Sequence, residues 1–156
     1  MNADQSALSA YAVFLFPFLV IALWILVTSV VGIMSGWHAL ARRFRTDSKT
    51  YGETRTAGPF FYSVYMRFWG HYSSVIRMTA AQDALYLSVL FLFRAGHPPL
   101  RFPWSEIRFG ETTSFWKTYI ELTLGNEEQI PMRISRRMAR KLGIPERFTI
   151  DSLATR

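Results

Sequence analysis

The apolar positions of this chain fall into one long unbroken run followed by a stretch of alternation. From Tyr11 to Met34 the sequence reads YAVFLFPFLVIALWILVTSVVGIM, 24 residues without a charge. At 1.5 Å per residue this is about 36 Å of helix, enough to cross a hydrocarbon core of roughly 30 Å. Pro17 lies within the run, where a bilayer helix tolerates it. The next segment, SGWHALARRFR, changes period: Trp37, Leu40, Ala41 and Phe44 recur at helical spacing, with Arg42, Arg43 and Arg45 on the other faces. Residues 46–59 are polar and carry Gly52, and they read as a linker with a turn.

From Phe60 onward the dominant period is two, the signature of strands. Phe60 to Trp69 reads as a strand with bulky residues on both faces. Ser74, Ile76 and Met78 precede the AAQD loop and the apolar run from Ala84 to Phe93, which predicts a hairpin. That ten-residue run is too short to span a bilayer and is expected to be a strand. Leu100, Phe102 and Trp104 share one phase, whereas Ile107 and Phe109 need the other, so a bulge or corner is expected near Pro103–Ser105. Thr118, Ile120, Leu122 and Leu124 alternate with polar neighbours, Gly125 and Asn126 supply a turn, and Ile130, Met132 and Ile134 resume the alternation. Ser135 is the expected N-cap of a closing helix over 136–142, with Gly143 and Pro145 ending it. The expected architecture is therefore one N-terminal transmembrane helix plus a mainly-β (α+β) domain, an antiparallel barrel or sandwich of six or seven strands with a C-terminal helix. Its divisions are a short extracytoplasmic N-terminus over 1–10, the span over 11–34, a juxtamembrane amphipathic helix over 35–45, the linker, and a β domain over 60–156.

The run from Met78 to Ile107, MTAAQDALYLSVLFLFRAGHPPLRFPWSEI, resembles the hairpin and following strand of bacterial pleckstrin-homology-like or GRAM-like domains, in which an LYL-type strand precedes a PW-containing one. The resemblance covers about a third of the chain and rests on core-forming positions. It implies a pleckstrin-homology-like fold. The basic lipid-binding loop of that family has no residue-by-residue counterpart here, so the resemblance carries no ligand.

Charge orients the picture. The formal net charge is +7, and all 18 basic residues lie beyond Met34. Arg42, Arg43, Arg45, Lys49 and Arg55 follow the apolar run, while no Lys or Arg precedes it. Basic flanks stay on the cytoplasmic side, which places the N-terminus outside and the β domain at the inner face of a cell membrane. A start without Lys or Arg and the length of the run argue against a cleaved signal peptide. Trp37 is the expected interfacial residue at headgroup level, and Arg42, Arg43 and Arg45 are expected to reach anionic phosphates. The other reading of the same stripe is that its apolar face packs on the domain and its arginines only set topology. A second basic concentration, Arg133, Arg136, Arg137, Arg140 and Lys141, is either a solvated helix face or a site for anionic lipid or an acidic partner.

Chemistry is sparse. There are no cysteines, which removes disulfides, thiolate catalysis and Cys-ligated metal. His38, His71 and His97 lack a second ligand at metal spacing, and no phosphate loop or nucleophile elbow occurs. His97, before Pro98 and Pro99, reads as a polar turn residue. Asp83, Glu106 and Glu111 flank strands without a partner visible in sequence. The expected function is a non-enzymatic, single-pass binding or scaffolding module without a cofactor or metal. Its partners are the bilayer, anionic headgroups, and a protein in the membrane or cytoplasm; nucleic acid fits poorly. The alternative is an accessory subunit whose span packs inside a larger complex, with Ser29, Gly32 and Ser35 as the only small-residue face.

Overall fold

The structure, a computed structural model, describes residues 3–47, 54–58, 62–67, 70–114 and 117–145. The chain opens with helix α1 (Ala3–Met34), so the expected N-terminal tail is helical from Ala3. A turn at Ser35–Gly36 leads into α2 (Trp37–Phe44). Nine strands are present among the described residues: β1 (Arg55–Ala57), β2 (Ser63–Met66), β3 (Gly70–Ser73), β4 (Ile76–Ala80), β5 (Ala84–Val89), β6 (Leu100–Pro103), β7 (Ile107–Ser114), β8 (Lys117–Leu124) and β9 (Ile130–Ser135). They form two antiparallel sheets, of order β1-β4-β5-β6 and β3-β2-β9-β8-β7. Helix α3 (Arg136–Leu142) follows β9 directly.

The expected hairpins stand in register. Ile76 faces Val89 and Ala80 faces Leu85 across β4 and β5, while Ile120 faces Ile134 and Leu124 faces Ile130 across β8 and β9. The phase conflict around Pro103 is resolved by a one-turn 3-10 helix, Trp104–Glu106, which carries the chain from the first sheet into the second. Leu100, Phe102 and Ile107 can then all face inward. Ser135 Oγ accepts from the Met138 amide at 3.2 Å, and Gly143 ends α3 in the left-handed conformation.

Four expectations change. Of the expected barrel or sandwich of six or seven strands, neither sheet closes and the described strands number nine, in two open sheets of four and five strands sharing one core, because β1 and β3 add strands at the sheet edges. The segment expected as linker contains β1, whose Ala57 is buried where it pairs with Met78; its Gly52 turn lies outside the described residues. The apolar run from Ala84 to Phe93 is a strand only to Val89, after which Phe91–Phe93 turn as a 3-10 helix. The strand expected over 60–69 is described only as β2, with Phe60 and Phe68 outside the described residues.

The core draws on more than the strands. Trp37 and Leu40 of α2 are fully buried and Phe44 nearly so, beside inward residues of both sheets and Met138, Ala139 and Leu142 of α3. Phe44 meets Phe102 with ring centroids 4.7 Å apart. The chain leaving α2 binds the first sheet, since the Thr46 amide donates to the Pro99 carbonyl at 3.0 Å.

Candidate functional site

Charged side chains line open surface grooves, one holding Arg43, Arg45, Arg101 and Glu106 and another Asp47, Arg77 and Arg94, whereas buried polar side chains concentrate where α1 meets the β domain. This junction starts from two glycines. A Cβ on Gly32 would stand 2.8 Å from the Gly96 carbonyl oxygen and 3.2 Å from the His97 ring. Gly96, in the loop between β5 and β6, has φ +76°, and a Cβ there would lie 2.8 Å from the Ser29 Cα. Glycine alone permits both the left-handed backbone and this approach of loop to helix. Thr28 beside them folds its hydroxyl back onto the Trp24 carbonyl at 2.9 Å, leaving no polar atom unsatisfied as it is buried.

One turn further along, three polar side chains interlock. The Tyr72 hydroxyl of β3 donates to Ser35 Oγ at 2.7 Å, and Ser35 donates in turn to the Gly32 carbonyl at 3.2 Å. His97 Nε2 lies 2.8 Å from the same phenol oxygen. His97 Nδ1 lies 3.3 Å from the Ala95 carbonyl, so each ring nitrogen has a polar neighbour and the ring joins Tyr72 to the β5–β6 loop. Ser35, Tyr72 and His97 are all buried. Burial holds the His97 imidazole below its ordinary pKa, assisted by the nearby His38 and opposed by the Ala95 and Phe93 carbonyls. Burial likewise raises the Tyr72 phenol, against the lowering effect of its bond to Ser35.

Aromatic rings wall the cluster. Trp37 sits edge-on to His97 with centroids 5.2 Å apart and donates its indole N–H to the Pro98 carbonyl at 2.9 Å. On the other side, Trp24 of α1 donates to the Leu92 carbonyl at 3.0 Å and packs on Phe93 with centroids 5.3 Å apart. Helix end, β3 and the β5–β6 loop are thus held by backbone approach, a polar chain and two indole hydrogen bonds. The arrangement is a clasp: its donors and acceptors are spent on one another.

The basic residues singled out in sequence are placed differently from expectation. Trp37 is not at the surface; its exposure is 0%, because the apolar stripe of α2 covers the domain core. Arg43 bonds Glu106 at 2.8 Å and lies 3.4 Å from Glu127, tying α2 to the β7–β8 sheet and the following turn. Arg133 pairs with Glu121 at 2.8 Å and Arg136 with Glu111 at 3.3 Å. Lys141 lies over the Tyr62 ring at 5.7 Å. Arg42, Arg45, Arg137 and Arg140 are exposed. Arg140 lines a groove of about 510 Å³ with Glu111, Ile120, Arg136 and Ile144. Much of the charge is therefore matched within the fold rather than presented as one patch.

The candidate carboxylates do not converge. Asp83 bonds Arg101 at 2.7 Å, which lowers its pKa, while Glu106 and Glu111 serve Arg43 and Arg136. Among the described residues no group of three His, Asp or Glu is arranged to hold a metal ion. Sequence reasoning grouped Ser29, Gly32 and Ser35 as small residues but set His97 apart from them, and it passed over Tyr72. The available signal was the small-residue spacing at the end of the apolar run. No protein-family model, curated protein or solved structure matches the chain.

Proposed function

We propose that this protein is a single-pass membrane module that holds a pleckstrin-homology-like β domain in fixed attitude at the cytoplasmic face and acts by binding a partner there, without turnover. The observation that carries the reading is the clasp itself. Residues 11–34 are long and apolar enough to cross a membrane, and only 6% of the apolar window is buried within the protein, unlike the core helix of a soluble domain. The same helix is seated on the domain through Ser29, Gly32 and Ser35, which supports a retained element rather than a leader to be removed. Arg42, Arg43 and Arg45 beyond the helix end support a cytoplasmic domain. The exposed arginines at positions 42, 45, 137 and 140 are available to anionic headgroups or an acidic partner.

The alternative, a subunit assembled through its span, loses its main support. Its candidate helix-packing face is Ser29, Gly32 and Ser35, and this chain's own β5–β6 loop and Tyr72 occupy it. The face that remains is Phe-, Leu-, Val- and Ile-rich, suited to lipid.

The lack of native cysteine makes the topology directly testable. Single-cysteine variants Ser6→Cys and Asn126→Cys are expected to remain in alkaline-washed membranes. An impermeant maleimide should label position 6 in intact cells and position 126 only after lysis. The opposite labelling pattern refutes the orientation, and release by alkaline wash refutes the span. Capture from mild detergent then identifies the partner.

A further inference from the structure

The clasp suspends an apolar turn beside the helix. Phe91–Phe93 form the 3-10 turn that follows β5. Phe93 packs on Trp24, whereas Phe91 is 78% exposed and Leu92 54% exposed. Two adjacent large apolar side chains at a loop tip make little sense in water, and their position along α1 shows what covers them. Trp24, which bonds the Leu92 carbonyl, precedes Met34 by about 15 Å of helix axis. Away from the domain, α1 stays apolar and exposed down to Ile33 and Met34. If α1 spans the bilayer, as proposed above and on which this inference rests, Trp24 lies about 7.5 Å of helix axis beyond Ser29, where the Gly96 loop meets the helix, and so inside the leaflet, whose hydrocarbon half is roughly 15 Å thick.

The carbonyls of the turn, though not the amides of Phe91 and Leu92, meet the condition that such a position imposes. Non-helical backbone at membrane depth must find its hydrogen bonds within the protein, because hydrocarbon offers none. The Leu90 carbonyl accepts from the Phe93 amide at 2.9 Å, the Phe91 carbonyl from the Arg94 amide at 3.2 Å, and the Leu92 carbonyl from the Trp24 indole at 3.0 Å. Three successive carbonyls are thus satisfied without water. Exposed Arg94 follows at once, with a stem long enough to carry its guanidinium back toward phosphate level.

The geometry points to a second membrane-contacting element: the turn Phe91–Phe93 inserts Phe91 and Leu92 among the acyl chains of the leaflet from which α1 emerges. The domain is thereby held to the bilayer at two places, by the helix and by this wedge, and cannot swivel about the helix axis. Its partner is lipid hydrocarbon, recognised by apolar area and not by headgroup.

The test uses the full-length protein in phosphatidylcholine–phosphatidylglycerol vesicles. Single cysteines at Phe91, Leu92, Val20 and Asn126 carry an environment-sensitive nitrobenzoxadiazole probe. Positions 91 and 92 are exposed, so both variants should fold, and each checks the other. The probe at 91 and 92 should emit to the blue of that at 126. Nitroxide on the acyl chains should quench it several-fold more than aqueous iodide does, as at position 20. Aqueous behaviour at 91 and 92 with a lipid-like probe at 20 overturns the wedge and leaves the span standing. Aqueous behaviour at all four positions overturns the span, and the wedge with it.

Discussion

Tyr72 has one hydroxyl proton and two buried neighbours that depend on its oxygen. Replacing it with Phe keeps the ring beside Trp37, 6.0 Å between centroids, but leaves His97 Nε2 without its hydrogen-bond partner and Ser35 Oγ without its donor. Stranding such buried groups costs about 1–3 kcal/mol, so Tyr72→Phe should lower the denaturation midpoint of the full-length protein in detergent, whereas the exposed His71→Gln should leave it nearly unchanged. The same cluster sets a pH dependence. His97 has a folded-state pKa below its unfolded value, first because of burial, so the unfolded chain binds more protons once the pH falls below about 6.5. Stability from neutral His97 is therefore present above that pH and is lost as the pH drops toward the folded pKa. The loss is complete only below that value. A melt series from pH 8 to pH 5 should show this decline, and His97→Asn should flatten it. A decline of equal steepness in the variant would assign the slope to other groups, whereas Asp83, whose pKa is lowered from the carboxylate range, adds its loss only at lower pH.

At the scale of elements, what could be read along the chain was whatever local chemistry decides. The closing helix lies over the expected positions because an N-cap serine, a short apolar stripe and a left-handed glycine coincide there. Ser135→Ala removes the bond to the Met138 amide and should cost about 1 kcal/mol, seen as a lower denaturation midpoint, since α3 places Met138 and Leu142 in the core. The hairpins follow equally from alternation and turn residues. Three features were not legible, each for a long-range reason. Phe91 and Phe93 continue the alternation of β5, yet the strand stops at Val89 because the turn is bonded and stacked on Trp24, far away in sequence. Arg55–Ala57 has almost no strand signal of its own and exists as a strand through pairing with β4. The stripe on α2 was visible, but periodicity cannot say whether lipid or protein covers it; Trp37 donating to Pro98 decides for protein. The clasp was illegible for the same reason: Ser35, Tyr72 and His97 are separated in sequence and meet only when the sheets are assembled.

At the scale of the whole molecule, the boundary between apolar helix and domain does not fall where composition changes. The apolar run ends at Met34 and the strands begin at Arg55, which invites cutting the chain in the polar stretch between them. Yet α2, on the helix side of that stretch, gives the core Trp37, Leu40 and Phe44, all buried. Burying a large apolar side chain contributes about 1.5–3 kcal/mol, so three of them represent roughly 5–9 kcal/mol, comparable with the 5–15 kcal/mol by which a domain of ordinary stability is folded. The lost tie between Arg43 and Glu106 adds to the deficit. A fragment beginning at Thr46 should therefore be largely unfolded, with a collapsed amide proton spectrum and no cooperative melt. One beginning at Ser35 should melt cooperatively, at a lower temperature than the full chain because the contacts from Trp24, Ser29 and Gly32 are gone. Equal, cooperative melts for the two fragments would mean that α2 is dispensable and that the domain hangs from a tether. If only the longer fragment folds, the module begins at the helix end, and the clasp sets the orientation of the domain to α1, which on the proposed topology is its orientation to the bilayer.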